Sequence, residues 1–96
     1  MKIQLKKFGE VLISRPTGKD AYNGFLPTLK NLSENENLEV DFEGVFSLSP
    51  SWADEFLTPM LQNFGNRLFL IKSQNPSVLT TIEILEETNN YKFQMS

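Results

Sequence analysis

The chain opens with alternation. Lys2-Ile3-Gln4-Leu5-Lys6 puts an apolar side chain at every second position, the period of a strand with one buried face. Phe8-Gly9-Glu10 reads as a turn and Val11-Leu12-Ile13 as a second short strand, so the spacing predicts an opening β-hairpin. Ser14-Arg15-Pro16-Thr17 reads as a break. From Lys19 the period lengthens: Ala21, Phe25, Leu29 and Leu32 recur at i, i+4, i+8 and i+11, one face of a helix that Gly24 and Pro27 weaken. Asn31 to Asn37 is a polar, acidic connection, after which Leu38, Val40 and Phe42 alternate with Glu39 and Asp41 as the next strand.

Gly44 to Pro50 reads as a serine-rich loop. The strongest helical stripe follows: Trp52, Ala53, Phe56, Leu57, Met60, Leu61 and Phe64, with Gly65 as a stop and Pro59 inside it. Arg67 to Lys72 encloses four apolar residues in a row, a run that suits a strand covered on both faces. Asn75-Pro76 is an N-cap with proline at the first helical position. The helix it begins is predicted to bury Val78, Leu79, Ile82 and Leu85 and to end at Asn89-Asn90, with Tyr91-Lys92-Phe93 as a short last strand. The order β-β-α-β-α-β-α, with that final strand, implies crossovers and an α/β fold. The expected sheet is mixed but mainly parallel, of four to five strands, with three helices.

Composition narrows the chemistry. A length of 96 residues makes one domain over 1–96 the expectation, since two would each be too small to bury a core. The chain has no cysteine and no histidine, which removes thiol nucleophiles, the usual soft metal ligands and the commonest acid–base residue near neutral pH. No bound metal and no cofactor are expected. The absence of cysteine in so small a domain favours a reducing compartment. No apolar run approaches the ~20 residues of a membrane span and no signal peptide is visible, so a soluble, cytoplasmic protein without membrane attachment is expected.

Charge is unevenly spread. Residues 1–30 carry six basic and two acidic side chains, a balance of +4, whereas residues 31–96 carry three basic and ten acidic, a balance of −7. An acidic body argues against nucleic acid as a partner. Lysines on the opening strand read as protection of a solvated edge.

The segment from Val40 to Leu57, Val-Asp-Phe-Glu-Gly-Val-Phe-Ser-Leu-Ser-Pro-Ser-Trp-Ala-Asp-Glu-Phe-Leu, resembles a STAS-like family of unknown function. That family shows a strand, Asp-Phe-x-Gly-Val, a serine-containing loop, and a helix opening aromatic-Ala-Asp-Glu-aromatic-Leu. Phe8-Gly9 and Ser14-Arg15-Pro16 are similar to its opening. STAS domains are the fold of bacterial anti-sigma factor antagonists and of the cytosolic part of sulfate transporters. In anti-sigma antagonists a partner kinase phosphorylates a serine in Asp-Ser-Ser-Gly at the start of the helix after the central strand. Laid on this chain, that stretch falls at Ser49-Pro50-Ser51-Trp52. Ser51 coincides with a serine of the motif, while Ser49, Pro50 and Trp52 replace its other residues.

The resemblance therefore implies a non-catalytic regulatory module in bacterial-type signalling. It would dock a protein partner, such as an ATP-binding kinase-like regulator, through Ser47, Ser49, Ser51, Trp52, Asp54 and Glu55, with Ser51 as the phosphorylation site. Capping explains the serines more simply, because Ser49 before Pro50 reads as an N-cap and Ser51-Trp52-Ala53-Asp54 matches a capping box. Trp52 belongs to the apolar stripe and reads as core or as an anchor for a partner. Two alternatives stand beside this reading: a metal- or ligand-dependent enzyme using Asp41, Glu43 and Asp54, and a structural homodimer subunit. Gly18-Lys19 lacks the upstream glycine and the following Ser or Thr of a phosphate loop, and Arg15 reads as a surface residue.

Overall fold

Each of the three helices begins at a capping residue followed within two positions by proline. In the computed structural model, which describes residues 1–96, Ser14 accepts a hydrogen bond from the Thr17 backbone N–H at 3.3 Å, Ser49 from Trp52 at 3.2 Å, and Asn75 from Ser77 at 2.9 Å. Proline costs nothing at such a start, where its missing amide has no helical partner. The helices are α1 (Arg15–Lys30), α2 (Pro50–Phe64) and α3 (Pro76–Asn89), and α1 and α2 continue through Pro27 and Pro59. Gly65 closes α2 at positive φ (53°), and Asn90 (φ 54°, ψ 49°) closes α3 in left-handed geometry. The stretch Ser14 to Thr17 is thus a helix start and not a break.

The strands are β1 (Lys2–Gln4), β2 (Val11–Leu12), β3 (Leu38–Asp41), β4 (Ser47–Leu48), β5 (Leu68–Leu70) and β6 (Gln94–Met95). They form a four-stranded sheet, β1-β3-β5-β6, and a two-stranded ribbon, β2-β4, with every pairing parallel. The opening hairpin is not made. Leu5–Phe8 coils into a tight 3-10 turn, and Gly9 (φ 132°) redirects the chain so that β2 runs on to pair with β4. Phe8 explains the detour: its ring packs against Phe25, Trp52 and Phe56 at centroid distances of 6.1, 6.0 and 5.2 Å. The serine-rich loop contains β4, too short for an alternation pattern, and the last strand lies just beyond Tyr91–Phe93.

Each crossover, β1 to β3, β3 to β5 and β5 to β6, steps the same way across the main sheet. Right-handed connections then place all three helices on one face. Burial agrees: Ile3, Leu38, Val40, Leu68 and Leu70 are buried, whereas Lys2, Gln4, Glu39 and Phe69 point the other way and are exposed or half-exposed. The run at Leu68 to Ile71 is therefore covered on one face, with Phe69 and Ile71 left half-buried. On α3, Thr81 takes the buried position expected of Leu79, which is 46% exposed, and its hydroxyl donates to the Leu48 carbonyl at 2.7 Å. The buried apolar side chains form one continuous cluster beneath α1, α2 and α3.

Candidate functional site

The site follows from how α2 begins. Ser47 and Leu48 pair with Val11 and Leu12, and the chain then turns into the helix at Ser49. Ser49 is fully engaged: its backbone N–H donates to Leu12 at 2.9 Å, and its hydroxyl donates to the Ile13 carbonyl at 2.6 Å while capping Trp52. The cap is thus Ser49. Ser51, inside the first turn, makes no capping bond, and its half-buried hydroxyl has no partner within the chain. The Ser47 hydroxyl is likewise free, although its backbone N–H donates to the Glu10 carbonyl at 3.0 Å.

Trp52 is 1% exposed, stacked on Phe56 at a centroid distance of 5.0 Å. It belongs to the core and supports the rim from beneath, which removes it from the set of partner-contacting residues. The first turns of α1 and α2 meet at its backbone. A Cβ on the buried Gly18 would lie 2.5 Å from the Trp52 carbonyl oxygen and 2.9 Å from its Cα, so only glycine permits this approach.

Arg15, one turn earlier on α1, reaches over to α2. Its Nη1 lies 2.9 Å from Asp54 Oδ2 and 3.4 Å from Glu55 Oε1. The hydrogen bond to Asp54 is the main cause that raises the guanidinium pKa, so this charge is permanent. Asp54 Oδ1 accepts from the Thr58 hydroxyl at 2.8 Å, and Thr58 is hydrogen-bonded in turn to the Tyr91 hydroxyl at 2.8 Å. Desolvation is the leading cause that raises the Tyr91 pKa, which keeps it a neutral phenol. Asp54 and Glu55 therefore form a half-exposed rim whose charge Arg15 halves.

The structure brings Ser47, Ser49, Ser51, Asp54 and Glu55 to one end of the fold, but it separates the acidic residues proposed for a metal. Asp41 is buried on β3, where Oδ1 accepts from the Glu43 backbone N–H at 3.0 Å and Oδ2 lies 3.5 Å from Lys2 Nζ. No three acidic side chains gather as a metal site, and Asp54 is tied to Arg15 on α2. Sequence reasoning missed Gly18, Arg15, Thr58 and Tyr91 as parts of the site. Only the glycine-proline punctuation around Arg15 and Gly18 hinted at a helix start there. Thr58 and Tyr91 carry no local signal, being 33 positions apart.

No helix is long and apolar enough to cross a membrane. No curated protein and no solved structure matches the chain significantly. One family model does, described as a STAS-like domain of unknown function. Its match covers residues 22–79, from α1 into α3, and so takes in the whole segment from Val40 to Leu57. That span is more than half of the chain and includes the Ser-rich entry to α2, which identifies the protein as a member of the STAS-like domain family.

Proposed function

We propose that this STAS-like domain is a non-catalytic protein-binding module whose docking surface is the rim formed by Ser47, Ser51, Asp54 and Glu55. One observation carries the reading: Ser51 holds an unpartnered hydroxyl on the first turn of α2, while its neighbours Ser49 and Asp54 are fixed by internal bonds. The rim is also shallow, for none of the concavities of the surface is lined by Ser51, Asp54 or Glu55. Small-molecule sites are concave and largely apolar, whereas a flat rim with a rigid aromatic base suits a protein partner.

Family likeness points to an ATP-binding kinase-like regulator as that partner and to Ser51 as the residue it modifies. A phosphate there would meet the positive end of the α2 dipole and lie one turn before Asp54 and Glu55. Arg15 already offsets those carboxylates, which lessens the repulsion. The test combines two measurements on protein from its native cell. Mass spectrometry is expected to find phosphate on Ser51 in a fraction of the molecules. Affinity capture is expected to lose one partner when Ser51→Asp replaces the wild type, with the melting temperature unchanged. Recovery of the same proteins at the same level by both baits would remove this surface as the docking site.

A further inference from the structure

Arg15 is held where a phosphate on Ser51 would need a cation. Two fixed contacts bracket the pair. On one side, the Ser49 hydroxyl donates to the Ile13 carbonyl at 2.6 Å and the Ser49 backbone N–H to the Leu12 carbonyl at 2.9 Å. On the other, Gly18 lies against the Trp52 backbone, too close for any Cβ. The first turn of α1 is thereby laid alongside the first turn of α2, with Arg15 beside Ser51.

The guanidinium also lies over the right line of the helix. At about 100° per residue, Asp54 and Glu55 stand about 60° to one side of Ser51 and about 40° to the other. One nitrogen, Arg15 Nη1, reaches both carboxylates, at 2.9 and 3.4 Å, and so bridges the line that runs along α2 through Ser51. Helical side chains lean toward the N-terminus, which tips both carboxylates and their arginine back over Ser51. Neighbouring turns on one face are about 5–6 Å apart between Cβ atoms, a span the flexible arginine stem can cover. Competing cations are scarce. β2, β4, α2 and α3 contain no lysine or arginine, and Lys19, one turn further along α1, joins no ion pair.

We infer that Arg15 is a phosphate receiver: when Ser51 is phosphorylated, the guanidinium moves from Asp54 and Glu55 to the phosphate and bares both carboxylates. This rests on the reading of Ser51 as the residue that an ATP-binding partner modifies. In that transfer the Ser51 Oγ attacks the γ-phosphorus of ATP and its proton passes to a base of the partner. The bond from that phosphorus to the bridging oxygen breaks, and ADP leaves. Charge favours the exchange, since a phosphate dianion carries about twice the charge of a carboxylate and can take both arms of the guanidinium fork. Before modification the rim holds two carboxylates and one guanidinium, a charge of −1; afterwards it carries about −3. The same side chains thus present two different faces to a docking protein.

The test installs phosphate on Ser51 of the whole chain during synthesis and follows it by phosphorus NMR against pH. The second pKa of a free phosphoserine is about 6. A guanidinium on the phosphate favours the dianion and lowers that value, whereas Asp54 and Glu55 left alone with it raise the value. The wild type is expected to titrate at least about one unit below Arg15→Gln, with Lys19→Gln matching the wild type. A second reading needs no variant. The chain has two arginines, so the Arg15 Nε–H signal should move with the phosphate titration while that of Arg67 stays still. Equal midpoints in wild type and Arg15→Gln, an equal shift in Lys19→Gln, or a motionless Arg15 signal would each overturn the inference. Because synthesis puts the phosphate in place, the outcome does not depend on whether the native cell modifies Ser51, and a negative result leaves the docking rim standing.

Discussion

Gly18 offers the sharpest test of how α1 and α2 are joined. In Gly18→Ala the new methyl would lie 2.5 Å from the Trp52 carbonyl oxygen and 2.9 Å from the Trp52 Cα, both backbone atoms of a helix start that cannot rotate away. Restoring an ordinary contact requires α1 and α2 to separate by about 0.9 Å, and overpacking of that kind costs about 1–3 kcal/mol. Alanine's better helix propensity returns about 1 kcal/mol, so a net loss of up to about 2 kcal/mol is expected. Gly24 is the internal control. It lies on the same helix, exposed, with nothing within 4 Å of its Cβ position. Gly24→Ala should therefore gain about 0.5–1 kcal/mol from propensity alone. Urea unfolding followed by tryptophan fluorescence separates the variants, because Trp52 is the single tryptophan and lies at the contact. The midpoints should move in opposite directions at constant m-value. For a domain of this size, about 2 kcal/mol between them corresponds to roughly 8–16 °C in melting temperature. If Gly18→Ala were as stable as Gly24→Ala, the close approach of the helices would be wrong, and the Arg15 bridge built on it would fall too.

Other substitutions test the remaining assignments. Ser49→Ala should cost about 1–2 kcal/mol, since it removes the α2 cap. Ser51→Ala should stay within about 0.5 kcal/mol, and the reverse ranking in thermal melts would reassign the cap. Thr81→Val should cost about 1 kcal/mol and not the full penalty of an orphaned carbonyl, because the Ser77 hydroxyl also donates to Leu48 O at 3.1 Å. Tyr91 is an acid whose pKa burial raises in the fold above the ordinary phenol value of 10.0, so the stability it contributes is complete below that value. It should be lost as pH rises through the higher folded value. Alkaline unfolding of Tyr91→Phe should thus be less steep than that of the wild type, and identical profiles would refute the buried environment.

What was legible in the sequence were the features that repeat locally. The stripe from Trp52 to Phe64 and the cap at Asn75-Pro76 declared two helices, because a helix is held by bonds four residues apart and its buried face recurs at the same short spacing. The serine and acidic residues at the entry to α2 were legible as a group for the same reason: they follow one another closely, from β4 through the first two turns of the helix. Strands fared less well. β2, β4 and β6 are two residues each, too short to alternate, and exist only because distant partners supply their hydrogen bonds.

By itself, then, the order of residues determined the α/β class, the positions where α2 and α3 begin, and most of the apolar face that each helix buries. Tertiary structure alone decided that the opening strands go to different sheets in parallel, that Trp52 faces inward, and that Arg15 holds Asp54 and Glu55 from 39 and 40 positions away. The physical reason is the range of the forces. Capping and periodic burial act within a turn or two of the chain, whereas pairing, helix contact at a glycine and charge neutralisation depend on which surfaces meet once the core has closed.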